Sequence, residues 1–148
     1  MKALDTNTPH PGRGKHLASL VREFVARYPS FGTQAGAYNK CKFASYELVL
    51  YLRRRGFNAK LLHIQHCLAP NYPDAHPTWQ GKRRDRWSHY TVAIGRWSID
   101  VTARQFDTSL KVPHVVRIQE LRTMWATVEY DRFLNRWIRE TLAHRDNG

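Results

Sequence analysis

Residues 88–100, SHYTVAIGRWSID, contain two alternating apolar runs that meet at Gly95-Arg96. A two-residue connection with Gly at its first position is typical of a type II′ turn, so the stretch predicts a β-hairpin. In that register Val92 pairs with Ile99, and the face that they share is apolar and buried. The opposite face carries His89, Thr91, Ala93, Ser98, Asp100 and Thr102.

The same register brings together two groups that can exchange a proton. Asp100 lies diagonal to His89, and diagonal Cβ atoms on paired strands are about 7 Å apart, within reach of an imidazole–carboxylate hydrogen bond. A slip of one residue would turn Asp100 into the apolar face, so the hydrophobic pattern itself protects the register. We therefore expect His89 and Asp100 to form a pair.

Upstream, Cys41 lies in AYNKCKFASYELVLYLRRRG, where a polar turn becomes an amphipathic helix that ends near Gly56. Asn39 or the adjacent turn can cap this helix. A thiol in the first turn feels the positive end of the helix dipole, and a nearby His cation also favours the thiolate. Cys41, His89 and Asp100 thus predict a Cys-His-Asp triad acting on an amide or ester. The alternative is a small buried apolar cysteine.

Three segments also carry a family resemblance: the Cys41 helix that runs into RRRGFNA, then HYTVAIG, then IDVTARQFD. Together, within residues 35–110, they resemble the papain-fold and transglutaminase-like cysteine hydrolases. They most resemble the compact bacterial papain-fold proteins, some of which are toxin domains or glutamine deamidases. The resemblance implies a nucleophile at Cys41, a general base at His89 and an orienting acid at Asp100. It also implies that Gln105 lines the site.

The oxyanion hole is less defined by the resemblance. Papain-like enzymes often place an oxyanion-hole Gln one position nearer to the Cys than Gln34 stands here. Gln34 and Asn39 are therefore both candidates. The backbone N–H of Cys41 is a further donor.

The expected fold is α+β, papain-like or transglutaminase-like, with the Cys41 helix packed on an antiparallel sheet that bears His89 and Asp100. We expect a single domain over residues 1–148, with a flexible arm at 1–14. Further expected elements are a helix over Leu17–Tyr28, strands in FNAKLLHIQH and VPHVVRI, and a short helix around Leu121–Trp125. A last helix is expected to place on one face Tyr130, Phe133, Leu134, Trp137, Ile138 and Leu142.

The long connection at residues 68–87 precedes His89 directly. Loops of this length in compact domains are usually functional or disordered. We therefore expect either a lid that contacts the substrate or a solvated insertion.

The first fourteen residues contain no apolar run, which predicts no secretory signal. We accordingly expect a cytoplasmic protein with free thiols at Cys41 and Cys67, no membrane span and no cofactor. Delivery into a target cell as an effector is suggested by the resemblance alone.

The net charge of the chain suggests the main alternative function. The chain has 24 Lys and Arg against 12 Asp and Glu, a formal net charge of +12. Clusters at Arg53–Arg55 and Lys82–Arg86 suit a phosphate backbone, with Trp79 and Trp87 available to stack on bases. The alternative is thus a basic nucleic-acid-binding protein without catalysis, although no recognised module accompanies the clusters. A basic surface equally suits an enzyme whose protein or peptide substrate is acidic.

A metal site is a third hypothesis, because His63, His66, Cys67 and His76 lie close in sequence and suit zinc. On a strand, His63 and His66 point to opposite faces, as do His66 and Cys67. We therefore assign no metal ligands.

For the enzyme, glutamine deamidation, peptide cleavage and transglutamination share the first half-reaction. The small chain leaves little room for an extended peptide cleft, which favours a deamidase.

Overall fold

The computed structural model describes residues 11–68, 72 and 74–146. The chain is an α+β protein, as predicted. In chain order its elements are α1 (Pro11–Arg27), α2 (Gln34–Ala37), α3 (Cys41–Arg53), β1 (Lys60–Cys67), α4 (Pro77–Gln80), β2 (Ser88–Ile94), β3 (Trp97–Asp100), β4 (His114–Arg117), α5 (Ile118–Met124), β5 (Trp125–Tyr130) and α6 (Arg132–Asp146). Of the arm expected over residues 1–14, residues 1–10 lie outside the described residues, and residues 11–14 belong to α1.

The five strands form one antiparallel sheet in the order β4-β3-β2-β1-β5. The predicted hairpin is confirmed, since Val92 pairs with Ile99 and Ile94 pairs with Trp97. Gly95 has φ of 57°. That left-handed value is what the first central residue of a type II′ turn requires, and it is costly for any residue with a Cβ.

One face of the sheet is covered by α1, α3 and α6. The buried side chains that meet there are Leu17, Val21, Phe24, Leu48, Leu52, Val92, Ile99 and Ile138. Each fully buried side chain of this kind contributes roughly 1.5–3 kcal/mol. This packing, more than helix propensity, holds α3 in place with Cys41 as its first residue.

The opposite face, which carries the polar side of the hairpin, is also buried. A second apolar cluster covers it, and its members include Leu62, Ile64, Trp79, Trp87, Phe106, Leu121 and Trp125. Buried polar groups on this face satisfy one another, as where the Ser98 hydroxyl donates to Thr91 Oγ1 at 2.8 Å. His89 and Asp100 therefore lie in a site that is largely shielded from water, with 1% and 8% of their surfaces exposed.

The C-terminal part differs from expectation. Residues 125–130 form strand β5, so Tyr130 pairs with Leu62 and does not belong to the last helix. The helix begins only at Arg132 because the Asp131 carboxylate accepts from the Leu134 N–H at 2.9 Å and acts as its cap. Two side chains expected on the core face, Phe133 and Trp137, are exposed. No helix within the described residues is long and apolar enough to cross a membrane.

Candidate active site

The thiol of Cys41 stands at the first residue of α3. Asn39, with φ of 59°, turns the chain into the helix, but neither its side chain nor that of Lys40 caps the helix. Of the two caps expected, Asn39 or the adjacent turn, the Asn39 side chain forms none; Lys40 occupies the N-cap position, and its carbonyl accepts the first intrahelical hydrogen bond, from the Ala44 N–H at 2.8 Å. The first N–H groups of a helix have no intrahelical acceptor, so Cys41 lies at the positive end of the helix dipole.

The edge of β2 explains how Cys41 reaches His89. Pairing between β2 and β3 covers only Val92–Ile94, so the backbone of Tyr90 is available to another element. Ser45, one turn after Cys41, donates its hydroxyl to the Tyr90 carbonyl at 3.1 Å. The Tyr90 N–H in turn donates to the Cys41 sulfur. The first turn of α3 thus takes the place of a neighbouring strand at this point.

His89 and Asp100 form the pair that the hairpin register predicts. The distance between His89 Nε2 and Asp100 Oδ2 is 2.6 Å. The second carboxylate oxygen of Asp100 accepts from the Thr102 N–H at 2.9 Å. Phe106 packs edge-on against the imidazole, with 4.8 Å between ring centroids. The carboxylate and the ring are therefore both fixed by neighbours.

Cys41 completes the series of hydrogen bonds, because its thiol is hydrogen-bonded to the His89 side chain. Since Asp100 occupies Nε2, the nitrogen left for the thiol is Nδ1. Burial raises the pKa of the Cys41 thiol, but the hydrogen bond and charge of His89 and the Tyr90 N–H outweigh burial. The pKa is lowered in consequence. A lowered pKa places more of the sulfur in its nucleophilic form.

The imidazole shows the reciprocal effect. Burial lowers the pKa of His89, but the charge and hydrogen bond of Asp100, and those of the Cys41 thiolate, raise it well above its ordinary value. The two directions together favour a thiolate–imidazolium pair between Cys41 and His89.

Gln105 lies beside His89, where the resemblance placed it, and is 0% exposed. Its Oε1 accepts from the indole N–H of Trp79 at 2.9 Å. Because an indole can only donate, this bond fixes which end of the amide is the oxygen. Its Nε2 lies 3.4 Å from both His89 Nδ1 and Thr102 Oγ1.

The two oxyanion-hole candidates are placed differently. The Gln34 amide donates to the backbone carbonyl of Asp74. Asn39 is exposed. Among the hydrogen bonds between described residues, none joins Gln34 or Asn39 to Cys41 or His89. The backbone N–H of Cys41, at the first residue of α3, has no intrahelical acceptor.

The described part of the 68–87 connection is a packed layer over the site and not a solvated insertion. The His76 N–H donates to the Gln105 carbonyl at 2.8 Å. The His76 ring stacks on Tyr38 with 3.9 Å between centroids. Trp79 and Trp87 are both buried. The prediction that Trp79 and Trp87 could stack on bases was therefore wrong, because both side chains form the core of this layer.

The basic clusters are partly used inside the fold. Arg53 donates from Nε to the Ala59 carbonyl at 2.7 Å, and Arg55 stacks over Tyr51 at 3.5 Å. Lys82 lies over the Trp79 ring at 5.0 Å.

The histidines of the metal hypothesis are separated. His63 stacks on Tyr90, 4.3 Å between centroids, whereas His66 contacts the Asp85 carbonyl through Nδ1. Within the part of the chain that the structure describes, no three His, Cys, Asp or Glu side chains form a group suited to a metal ion. Cys41 and Cys67 are not joined in a disulfide.

Four contributors to the site were missed from the sequence: Ser45, Tyr90, Thr102 and Trp79. Thr102 was the one with a local signal, because an Asp readily accepts from the backbone N–H two residues later.

Comparison with known proteins adds nothing to this description, since no family model, curated protein or solved structure matches the chain.

Proposed function

We propose that the chain is a thiol-dependent acyl-transfer enzyme that acts on amide bonds of a protein or peptide, with Cys41 as nucleophile. The observation that carries the proposal is the hydrogen-bonded series Cys41–His89–Asp100, in which the thiol pKa is lowered and the imidazole pKa is raised. Such an arrangement activates a cysteine.

In the first half-reaction the Cys41 thiolate attacks the carbonyl carbon of the substrate. The resulting oxyanion lies near the helix N-terminus, where the Cys41 N–H is a donor. His89 gives its proton to the leaving nitrogen, and a thioester remains on Cys41. Asp100 holds the imidazole orientation and stabilises its cation.

In the second half-reaction His89 removes a proton from water or an amine, which attacks the thioester and frees the thiol. Water as the second nucleophile gives deamidation or peptide cleavage, and an amine gives transglutamination. We favour glutamine deamidation, because a primary carboxamide needs no extended cleft on its leaving side. The fold type that accompanies this proposal is papain-like or transglutaminase-like.

A protein or peptide substrate has a surface near the start of α3 on which to lie. A shallow groove of about 520 Å³ is lined by Asn39, Lys42, Phe43, Tyr46, Leu134 and Trp137. It starts within two residues of Cys41 and combines exposed aromatic rings with the charge of Lys42. Such a groove suits an apolar side chain next to an acidic one.

The decisive experiment compares the two thiols. Limiting iodoacetamide near pH 6 should label Cys41 well before Cys67, because an ordinary thiol of pKa about 8.5 is almost wholly protonated there and because Cys67 is buried in the second apolar cluster. The test of activation is therefore His89→Ala, which should greatly slow labelling of Cys41, since it removes the cation that stabilises the thiolate. Asp100→Asn should slow this labelling less, because the amide still holds the ring.

Mass spectrometry assigns the label to each cysteine. Equal labelling of Cys41 and Cys67 in the native protein, or labelling of Cys41 that is indifferent to His89→Ala, would rule out the proposed triad.

A further inference from the structure

A second cavity lies behind the proposed triad, on the face of the sheet opposite α1 and α3. Its volume is about 340 Å³, and it reaches both His89 and Asp100 while Cys41 is not among its lining residues. Most of its wall is apolar, formed by side chains such as Ile64, Phe106 and Leu121. Ligand sites typically have this size and this mixture of apolar wall and few polar groups.

The charge of this cavity is opposite to that of the chain. Three of the twelve acidic residues, Asp100, Asp107 and Glu120, line it, and none of the described lining residues is Lys or Arg. Asp100 is matched by His89. Asp107 and Glu120 lie on different elements, the loop after β3 and helix α5, and besides the His89–Asp100 pair the other ionisable groups of the described lining are the His114 imidazole and the Tyr72 phenol.

Aromatic walls strengthen the preference for a cation. Tyr72, Phe106 and Trp125 all line the cavity. Ring faces attract ammonium and guanidinium groups, more so where water is partly excluded. A carboxylate ligand would meet two carboxylates at close range, whereas a neutral ligand would gain no charge attraction from them.

We propose that this cavity binds a small organic ammonium ion with an apolar body. The apolar part packs against Ile64, Phe106 and Leu121, and the cation faces Asp107 and Glu120. The site goes beyond the proposed function and does not need Cys41 to be a nucleophile, since the thiol lies on the other side of the imidazole.

The test is calorimetric titration of the full chain at pH 7 and low salt with three probes. Benzylammonium has both features, benzyl alcohol lacks the charge, and methylammonium lacks the apolar body. Benzylammonium should bind saturably at one site per chain, and each of the other two should bind at least about tenfold more weakly, the effect of losing one charged hydrogen bond or its apolar counterpart.

Variants locate the site. Glu120→Gln with Asp107→Asn should raise the dissociation constant of benzylammonium about tenfold. Asn at 107 keeps the Oδ1 acceptor that the Ser109 N–H uses at 2.9 Å, so the loop is retained. Glu120→Gln alone, on an exposed helix position, gives a weaker effect in a variant that has no reason to misfold. Glu129→Gln, an exposed carboxylate outside the cavity, is the matched control and should change nothing.

Equal binding of benzyl alcohol, absence of saturable binding, or an equal loss in Glu129→Gln would overturn the proposal. The Cys41→Ser variant separates this inference from the proposed function. It should bind benzylammonium normally, whereas failure of the cysteine-labelling experiment would leave the binding result untouched.

Discussion

The imidazole of His89 is held by four groups from three parts of the chain. Asp100 binds one nitrogen, the Cys41 thiol binds the ring from α3, and the Phe106 ring packs nearly perpendicular to it. The Gln105 amide faces Nδ1, which the thiol also uses. An amide N–H can donate only to an unprotonated Nδ1, so Gln105 favours the neutral ring and opposes the thiolate–imidazolium pair.

Replacement of Gln105 by Leu should therefore have two separable effects. It leaves the buried Trp79 N–H without its acceptor, which should lower the free energy of unfolding by roughly 1–3 kcal/mol. It also removes the donor that opposes protonation of Nδ1, so the rate of Cys41 alkylation near pH 6 should stay equal or rise.

Urea unfolding and timed alkylation measure the two effects. Gln119→Leu, an exposed position on α5, is the control and should shift stability by less than about 0.5 kcal/mol. Slower alkylation in Gln105→Leu than in the native protein would contradict this role of the amide.

At the scale of single residues, the sequence predicted those groups whose positions follow from one hairpin. His89 and Asp100 share a register, so their meeting needed only the alternation of apolar residues. The orientations of Gln34 and Asn39 could not be predicted in this way, because the direction of a loop side chain depends on contacts made far along the chain. The Gln34 partner, Asp74, is such a contact.

The hairpin is the element that sets the distance between imidazole and carboxylate, and its turn depends on Gly95. Nothing lies within 4 Å of a Cβ built at Gly95, so an Ala there meets no steric clash. Its φ of +57° remains unfavourable for an L side chain. Gly81, by contrast, ends α4 with φ of −77°, and a Cβ would come no closer than 3.6 Å to any neighbour.

These two glycines form a matched pair for a stability measurement. Gly95→Ala should lower the free energy of unfolding by roughly 1 kcal/mol, through the backbone alone. Gly81→Ala should leave it unchanged or raise it by about 0.4–1 kcal/mol, because it restricts the unfolded chain. Urea titrations of both variants measure the difference, and a Gly95→Ala variant as stable as Gly81→Ala would argue against the turn.

Helices with a clear spacing of apolar residues were predicted well. Strands that depend on pairing with a distant part of the chain were not. The spacing of Leu17, Val21 and Phe24 is enough for α1. Strand β5 was missed because its six residues follow a helix directly and become a strand only by pairing with β1. The burial of both sheet faces was missed as well, because the covering layer comes from a connection whose composition is typical of a loop.

At the scale of the whole molecule, the excess of basic residues makes nucleic-acid binding the alternative to test. Replacing Arg83, Arg84 and Arg86 by Ala should weaken polyanion binding evenly across sequences. It should also lower the salt slope of that binding by about 0.9 for each phosphate that the variant no longer neutralises. Alkylation of Cys41 should not change.

A second triple variant keeps the total charge change the same. Arg96, Arg117 and Arg122 are exposed on another part of the surface. Filter binding of DNA and RNA at several salt concentrations should give similar reductions in affinity for both triples if net charge alone is responsible. A selective reduction in the first triple, together with sequence preference, would favour the nucleic-acid-binding alternative.

The proposed thiolate–imidazolium pair should also leave a signature in the pH dependence of stability. In the unfolded chain the pKa of the imidazole is about 6.5 and that of the thiol is about 8.5. In the folded chain the His89 pKa is raised and the Cys41 pKa is lowered. Where the thiol is ionised in the folded chain and still protonated in the unfolded chain, its contribution to stability rises with pH and is complete by about pH 8.5. Above about 8.5 the folded pair retains the imidazolium proton that the unfolded pair has lost, so stability falls until the raised imidazole pKa is reached.

Just below about 8.5 each pair binds one proton, and the contribution is flat. The difference in unfolding free energy between the native protein and Cys41→Ser with His89→Gln should therefore be level just below about pH 8.5 and fall from there to about pH 10. Gln at 89 keeps a donor for Asp100, so the comparison isolates the titrating groups. Urea unfolding at closely spaced pH values measures this difference. A difference that stays level or rises above about pH 8.5 would mean that His89 does not hold its proton in an ion pair in the folded protein.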